Sequence, residues 1–116
     1  MGLSTHVLDT MHGSPAAGMA VELYTTQGEN RTLIKRFVTN ADGRSEGLLL
    51  DSASLQVGTY RLTFDVNSYF QAQGVALPEP PFLDRVSLDF GIADPRQHYH
   101  VPLLVSPWSY STYRGS

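Results

Sequence analysis

Short segments of alternating apolar and polar residues recur along the whole chain, and turn-forming residues separate them. Alternation with a period of two places neighbouring side chains on opposite faces, which is typical of β-strands. Several such segments at regular spacing indicate an all-β sandwich or barrel. We predict eight strands, namely Leu3–Leu8, Ala20–Thr25, Leu33–Thr39, Gly47–Leu50, Thr59–Val66, Phe82–Phe90, His98–Val105 and Ser109–Arg114. Turns are predicted between them at residues 12–15, 27–30, 40–43, 77–81 and 93–95.

One segment, residues 67–74, departs from this alternation. Asn67 is able to cap a helix, the residues after it are compatible with a helical turn, and Gly74 stands where a helix commonly ends. We therefore predict one short helix between the fifth and sixth strands, with Asn67 as its N-cap.

The seventh predicted strand has two unlike faces. One face is suited to a core and consists of Tyr99, Val101, Leu103 and Val105. The opposite face consists of His98, His100, Pro102 and Leu104. An outer face that mixes imidazoles with apolar groups indicates either a pocket or a partner subunit.

The length and composition narrow the class of protein. A chain of 116 residues fits one domain, residues 1–116, with a core of its own. The net charge is −3, which argues against a nucleic-acid partner, and no apolar run approaches the roughly 18 residues that cross a bilayer, so no membrane partner is predicted. Cysteine is absent, which excludes thiol chemistry and disulfides. The sequence shows no secretory signal, so we predict a cytoplasmic location.

Three features of the sequence could take part in a reaction. They are His6 on the first strand, Arg44 after the Asp42-Gly43 turn, and the pair His98 and His100 on the seventh strand. Imidazole is suited to general acid or base catalysis near neutral pH, and guanidinium is suited to binding an anion or stabilising an oxyanion. Nothing in the spacing brings His6 and His100 together.

Two other kinds of site have weaker support in the sequence. The His98-x-His100 pattern could ligate zinc, but His6 is the only further candidate ligand, and we predict neither a metal nor another cofactor. A Ser4-His6-Asp9 triad can be drawn, but no nucleophile elbow supports it.

The C-terminal residues Tyr113, Arg114, Gly115 and Ser116 directly follow a well-patterned strand region. Terminal residues usually fray, but a polar tail attached to such a region is predicted to be ordered and to bind something. It would bring a phenol, a guanidinium, a hydroxyl and the terminal carboxylate to one place.

Two longer segments resemble the transthyretin family. They are residues 3–19, which read LSTHVLDTMHGSPAAGM, and residues 106–113, which read SPWSYSTY. The resemblance runs nearly from end to end. The family has a hormone-carrying branch and an enzyme branch, the 5-hydroxyisourate hydrolases. The combination of His6, Arg44, His100 and the tail of residues 113–116 is similar to the enzyme branch.

This resemblance implies a fold, an assembly and a reaction. The implied fold is a sandwich of two four-stranded sheets, and the implied assembly is a homotetramer, a dimer of dimers with active sites in the channel between dimers. The implied substrate is 5-hydroxyisourate, hydrolysed to 2-oxo-4-hydroxy-4-carboxy-5-ureidoimidazoline in urate degradation without a cofactor.

The resemblance also implies roles for single residues. His6 and His100 would activate water, Arg44 would stabilise the oxyanion, and the tail would bind substrate. His98 is predicted to be structural or peripheral. The alternative is a carrier without catalytic activity that holds an aromatic small molecule in the same channel, since one fold can serve both purposes.

Overall fold

The chain folds into eleven strands and one helix, and the computed structural model describes residues 1–116. The strands are β1 (Gly2–Ser4), β2 (Val7–Asp9), β3 (Ser14–Pro15), β4 (Ala20–Gln27), β5 (Asn30–Val38), β6 (Leu50–Asp51), β7 (Gly58–Asp65), β8 (Arg85–Ile92), β9 (Tyr99–His100), β10 (Leu103–Val105) and β11 (Tyr110–Ser111). The helix α1 spans Val66–Ala72. It is neither long nor apolar enough to cross a membrane.

The long strands form one antiparallel sheet in the order β5-β4-β7-β8. The other layer has two hydrogen-bonded parts, β6-β1-β9 and β11-β10-β2-β3. In both parts the segment around residues 2–9 runs parallel to the segment around residues 99–105, with partners 96 positions apart, as in Leu3 with Tyr99 and Val7 with Leu103. Because the register is unchanged across the break, the two parts follow one another as a single layer, and the predicted two-sheet sandwich is confirmed.

The break in this layer lies at Thr5, where a side chain takes the place of a backbone donor. The Thr5 hydroxyl donates to the carbonyl of Val101 at 2.7 Å, where the N–H of His6 would donate in an uninterrupted parallel ladder. The Val101 N–H still donates to the Ser4 carbonyl, and the Leu103 N–H to that of His6, both at 2.9 Å. The predicted strands at residues 3–8 and 98–105 are therefore each two short strands.

The core lies between the two layers and contains 21 buried hydrophobic residues. Its largest fully buried side chains include Phe64, Phe70, Leu3, Met19, Leu23 and Leu62. The helix contributes Val66, Tyr69 and Phe70 to this core. The core face predicted for the seventh strand is confirmed, since all four of its residues are buried.

The predicted helix is confirmed, but its cap is not Asn67. Asp65 caps the helix and accepts a hydrogen bond from the Ser68 N–H, while Asn67 lies inside the first turn and its side chain contacts Asp84. The helix ends as predicted at Gly74, whose φ is +81°. The N–H groups of Gly74 and Val75 donate back to the carbonyls of Gln71 and Phe70, which is the Schellman arrangement.

Other strand predictions need smaller corrections. The three strands predicted from residues 20, 33 and 59 are found within a few residues of their predicted ends. The predicted strand Gly47–Leu50 is reduced to β6, and the predicted strand from Phe82 begins only at Arg85. Phe82 instead lies on the surface and stacks on Trp108 at 5.8 Å between ring centroids. Part of the predicted turn at residues 12–15 is strand β3, which pairs with β2.

Candidate active site

The outer face of the broken layer carries the candidate chemistry. On the segment containing β1 and β2, the odd-numbered residues Leu3, Val7 and Asp9 are buried, while Ser4 and His6 are half-buried on the other face. The parallel register places Ser4 beside His100. In the same register His6 lies beside Pro102, two positions further along. The pairing of these distant segments therefore brings together two histidines that the sequence spacing left unconnected.

Arg44 reaches this face through a tight turn. The side-chain oxygen of Asn40 accepts hydrogen bonds from the N–H groups of Asp42 (2.9 Å) and Arg44 (3.1 Å). The Gly43 carbonyl accepts a hydrogen bond from the Val7 N–H at 2.8 Å, which fastens the turn beside His6. Gly43 has φ +76°, and a Cβ there would lie 2.4 Å from the Val7 carbonyl oxygen, so this position requires glycine.

The C-terminal tail is ordered against β9, as predicted. His100 and Gly115 exchange both backbone hydrogen bonds, at 3.1 and 2.7 Å. This pair has the same antiparallel register as β10 with β11, and Pro102 lies between the two pairs. Because proline has no N–H to donate, the ladder is interrupted there. The segment from Tyr110 to Gly115 is therefore paired with the neighbouring strand region at its two ends.

The side chains of the tail point in different directions. The Arg114 guanidinium lies 4.3 Å from the centre of the Tyr99 ring and donates to the side chain of Gln97 and the carbonyl of His98, each at 3.0 Å. Ser116 lines a shallow cavity of about 400 Å³ next to His98. Tyr113 lies away from this cavity, in a separate cleft against β8.

Ser4 lies between two histidines, His100 on β9 and His98, which comes just before β9. Ser4 Oγ lies 2.8 Å from Nδ1 of His100 and 3.1 Å from Nε2 of His98. The backbone N–H of Gly2 donates to Nδ1 of His98 at 3.1 Å. From the sequence, Ser4 is a candidate only as a nucleophile, and His98 is a candidate zinc ligand that is predicted to be structural or peripheral. A serine on a strand gives no sign of this bridge until the opposite strand is known.

The electrostatics of this face favour a neutral His100. Burial lowers the pKa of His100 below its ordinary value of 6.5, and the nearby charges of Arg44, His6 and His98 lower it further. At neutral pH this imidazole is therefore uncharged, beside a guanidinium that stays charged.

The Ser4-His6-Asp9 triad does not form. Asp9 points into the core, where it accepts hydrogen bonds from the Tyr69 hydroxyl at 2.8 Å and from Nδ1 of His12 at 2.6 Å. Burial alone would raise the pKa of Asp9, but these hydrogen bonds outweigh it and lower the pKa below 3.8. Asp9 thus belongs to the packing of α1 against β2 and not to the outer face.

The site is open in a single protomer. The protomer has five cavities, and none of them is lined by His6, Arg44 or His100. No cluster of three or more His, Cys, Asp or Glu side chains is arranged to ligate a metal. The face therefore offers two imidazoles and a guanidinium without walls to enclose a small molecule.

Comparison with known proteins gives consistent matches. The model of the HIUase/Transthyretin family matches residues 3–115. A 5-hydroxyisourate hydrolase of Ralstonia nicotianae is 56% identical over 114 residues, which cover 98% of this chain and 97% of the relative. The solved 5-hydroxyisourate hydrolase of Klebsiella pneumoniae has a TM-score of 0.80 and 35% identity, with 100% of both chains covered. A solved (S)-allantoin synthase has a TM-score of 0.92 and 49% identity, but this chain, of which 99% is covered, spans only 43% of that one.

Proposed function

This chain belongs to the HIUase/Transthyretin family, and we propose that the outer face around His6, Arg44 and His100 catalyses the hydrolysis of 5-hydroxyisourate. Relatives named 5-hydroxyisourate hydrolase match the chain over nearly its whole length, so the chain is an enzyme of this hydrolase branch. The assignment of the reaction to this face is supported by one observation above all. A half-buried His100 of lowered pKa lies within the electrostatic reach of both Arg44 and His6.

Each of these side chains has a chemical role in the proposed reaction. Water attacks a ring carbonyl of the substrate, the carbon–nitrogen bond of the ring amide breaks, and the ring opens to a carboxylate. The histidines position the water, accept its proton and return a proton to the leaving nitrogen. Arg44 binds the electron-rich ring and stabilises the oxyanion, because its charge is permanent and is not consumed in the reaction.

The tail is proposed to complete the substrate site. Gly115 is attached to the backbone of His100, and a Cβ at this position would lie 3.1 Å from the His100 ring, so glycine allows the close approach. Arg114 and Ser116 border the adjoining cavity and are proposed to bind the substrate. Tyr113, in its separate cleft, is proposed to support the tail from behind.

We further propose that the working form is a homotetramer, a dimer of dimers, with the sites in the channel between dimers. The open outer face supports this proposal, because another copy would supply the missing walls. The face also carries half-buried Leu8 and Leu104 side chains, which another copy would cover. Size-exclusion chromatography with light scattering should give four times the protomer mass, and a monomer with full activity would contradict the proposal. The cytoplasmic location stays a prediction.

The activity is tested with substrate made in the cuvette. Urate oxidase generates 5-hydroxyisourate, and its ultraviolet decay is followed with and without the protein. We expect strong acceleration that His100→Ala and Arg44→Ala each reduce by far more than tenfold, where tenfold corresponds to a loss of about 1.4 kcal/mol in transition-state stabilisation. Arg31→Ala is the matched control, because Arg31 stacks on Tyr24 away from this face. Decay at the spontaneous rate with a folded tetramer would favour the carrier function instead.

A further inference from the structure

The donor and the acceptor of each hydrogen bond around Ser4 follow from the Gly2 N–H, where the network begins. A backbone N–H can only donate, so Nδ1 of His98 accepts from Gly2 and carries no proton. A neutral His98 therefore carries its proton on Nε2 and donates it to Ser4 Oγ. The Ser4 hydroxyl has one proton of its own, and its remaining partner is Nδ1 of His100 at 2.8 Å.

The last group in this chain of hydrogen bonds is His100. Because its Nδ1 accepts from Ser4, a neutral His100 carries its proton on Nε2. Nε2 makes no hydrogen bond to any other group of the protomer. The opposite tautomer would place the Nδ1 proton of His100 and the Nε2 proton of His98 on the same Ser4 oxygen, and the serine proton would lose its acceptor.

From this geometry we propose that Ser4 and His98 are positioning residues that fix His100 as the Nε2–H tautomer. The inference rests on the proposed function and assigns separate roles to the two histidines of that site. His100 then presents an N–H to the substrate and donates a hydrogen bond to the oxygen on which negative charge develops, next to Arg44. A neutral imidazole that already carries this proton is not the base.

The proton transfers are consequently assigned to His6. In the attack, a bond forms between the water oxygen and the ring carbonyl carbon, and His6 takes the proton that the water loses. When the carbon–nitrogen bond breaks, the same proton moves from His6 to the leaving nitrogen, so His6 returns to its neutral form. His100 keeps its own proton throughout, and no group outside the chain and the substrate is needed.

The tautomer can be measured without substrate. In protein labelled with ¹⁵N-histidine, long-range proton–nitrogen NMR spectra distinguish the two neutral tautomers, and the four rings are assigned through single His→Gln variants. We expect Nε2–H patterns for His98 and His100 in the wild type. Ser4→Ala should give His100 a mixture of tautomers, while Ser4→Thr, which keeps a hydroxyl, should preserve the wild-type pattern. A wild-type His100 protonated on Nδ1 would overturn the inference.

Kinetics provide the second measurement. Ser4→Ala should lower kcat roughly tenfold or more while KM changes by about twofold at most, because the affected hydrogen bond strengthens in the transition state. Ser4→Thr should restore most of kcat. Ser4→Ala with an unchanged His100 tautomer and unchanged kcat would also overturn the inference. If wild-type protein shows the expected tautomer but does not hydrolyse 5-hydroxyisourate, the proposed function fails while the tautomer assignment stands.

Discussion

Gly43 affects both the stability of its turn and the position of Arg44, so we expect its replacement by alanine to change both. Gly43 has φ +76°, where an L-residue costs about 1–2 kcal/mol. The added Cβ would also lie 2.4 Å from the Val7 carbonyl oxygen, which is backbone and has little freedom to move. The turn must therefore move away from β2 and weaken the Val7–Gly43 hydrogen bond, whose net contribution is about 1 kcal/mol. We expect Gly43→Ala to lower the free energy of unfolding by roughly 2–3 kcal/mol in total.

The same substitution should reduce activity. Arg44, which is proposed to bind the substrate, follows Gly43 directly, and a displacement of about 1 Å in a substrate-binding group costs roughly 100-fold in rate. Gly47→Ala is the matched control, because Gly47 lies in the same loop with φ +79° but has no atom within 4 Å of its Cβ position. It carries the same backbone cost without the collision, so we expect a loss of about 1–2 kcal/mol and nearly unchanged kcat.

Urea unfolding at equal protein concentration, followed by fluorescence, and the ultraviolet assay measure both effects in parallel. Equal losses of stability in the two variants would show that the contact with Val7 carries no cost. A Gly43→Ala enzyme with wild-type kcat would show that the position of Arg44 does not depend on this turn. Either result refutes the reasoning.

Two further predictions concern other parts of the molecule. Tyr69→Phe removes one hydrogen bond from the buried Asp9 carboxylate and should lower the free energy of unfolding by about 1–3 kcal/mol in urea titrations, with unchanged kcat in the ultraviolet assay. The lowered pKa of His100, caused first by burial and then by the charge of Arg44, predicts a pH dependence of stability. The unfolded chain binds a proton at His100 that the folded chain does not bind between the two pKa values, so this contribution is complete above pH 6.5 and is lost as the pH falls through the folded pKa. The difference in the free energy of unfolding between the wild type and His100→Gln should decrease as the pH falls across that interval. A difference that does not change with pH would contradict the assignment.

Much of the fold followed from local pattern. The period-two alternation gave the strands and the inward face of residues 99–105, and Gly74 gave the end of the helix, because these features depend on neighbouring residues. The N-cap was wrong because Asp65 and Asn67 are both good capping residues, and only the packing of α1 selects between them. The break at Thr5 depends on a side chain donating to a residue 96 positions away, which no local pattern contains.

The sequence named the residues of the proposed site but not how they are brought together. The side chains of His6, Arg44 and His100 were visible as candidates from their chemistry, and the resemblance selected them. Their closeness arises from a parallel pairing and from the Gly43 turn, both of which are long-range. Ser4 was missed as a positioning residue because its partner atoms belong to the opposite strand.

The arrangement of the proposed site depends on the core through strand register. Leu3 and Val7 are fully buried, and each contributes about 1.5–3 kcal/mol relative to an exposed position. The outward contacts of Ser4 and His6 are few, and a hydrogen bond contributes only about 1 kcal/mol net. A slip of one residue would expose Leu3 and Val7 and would turn His6 into the core, so the apolar side chains determine the register. The side chains of the proposed site are thus positioned by buried residues on the opposite face, and conservative changes at Leu3 or Val7 should alter stability before they alter activity.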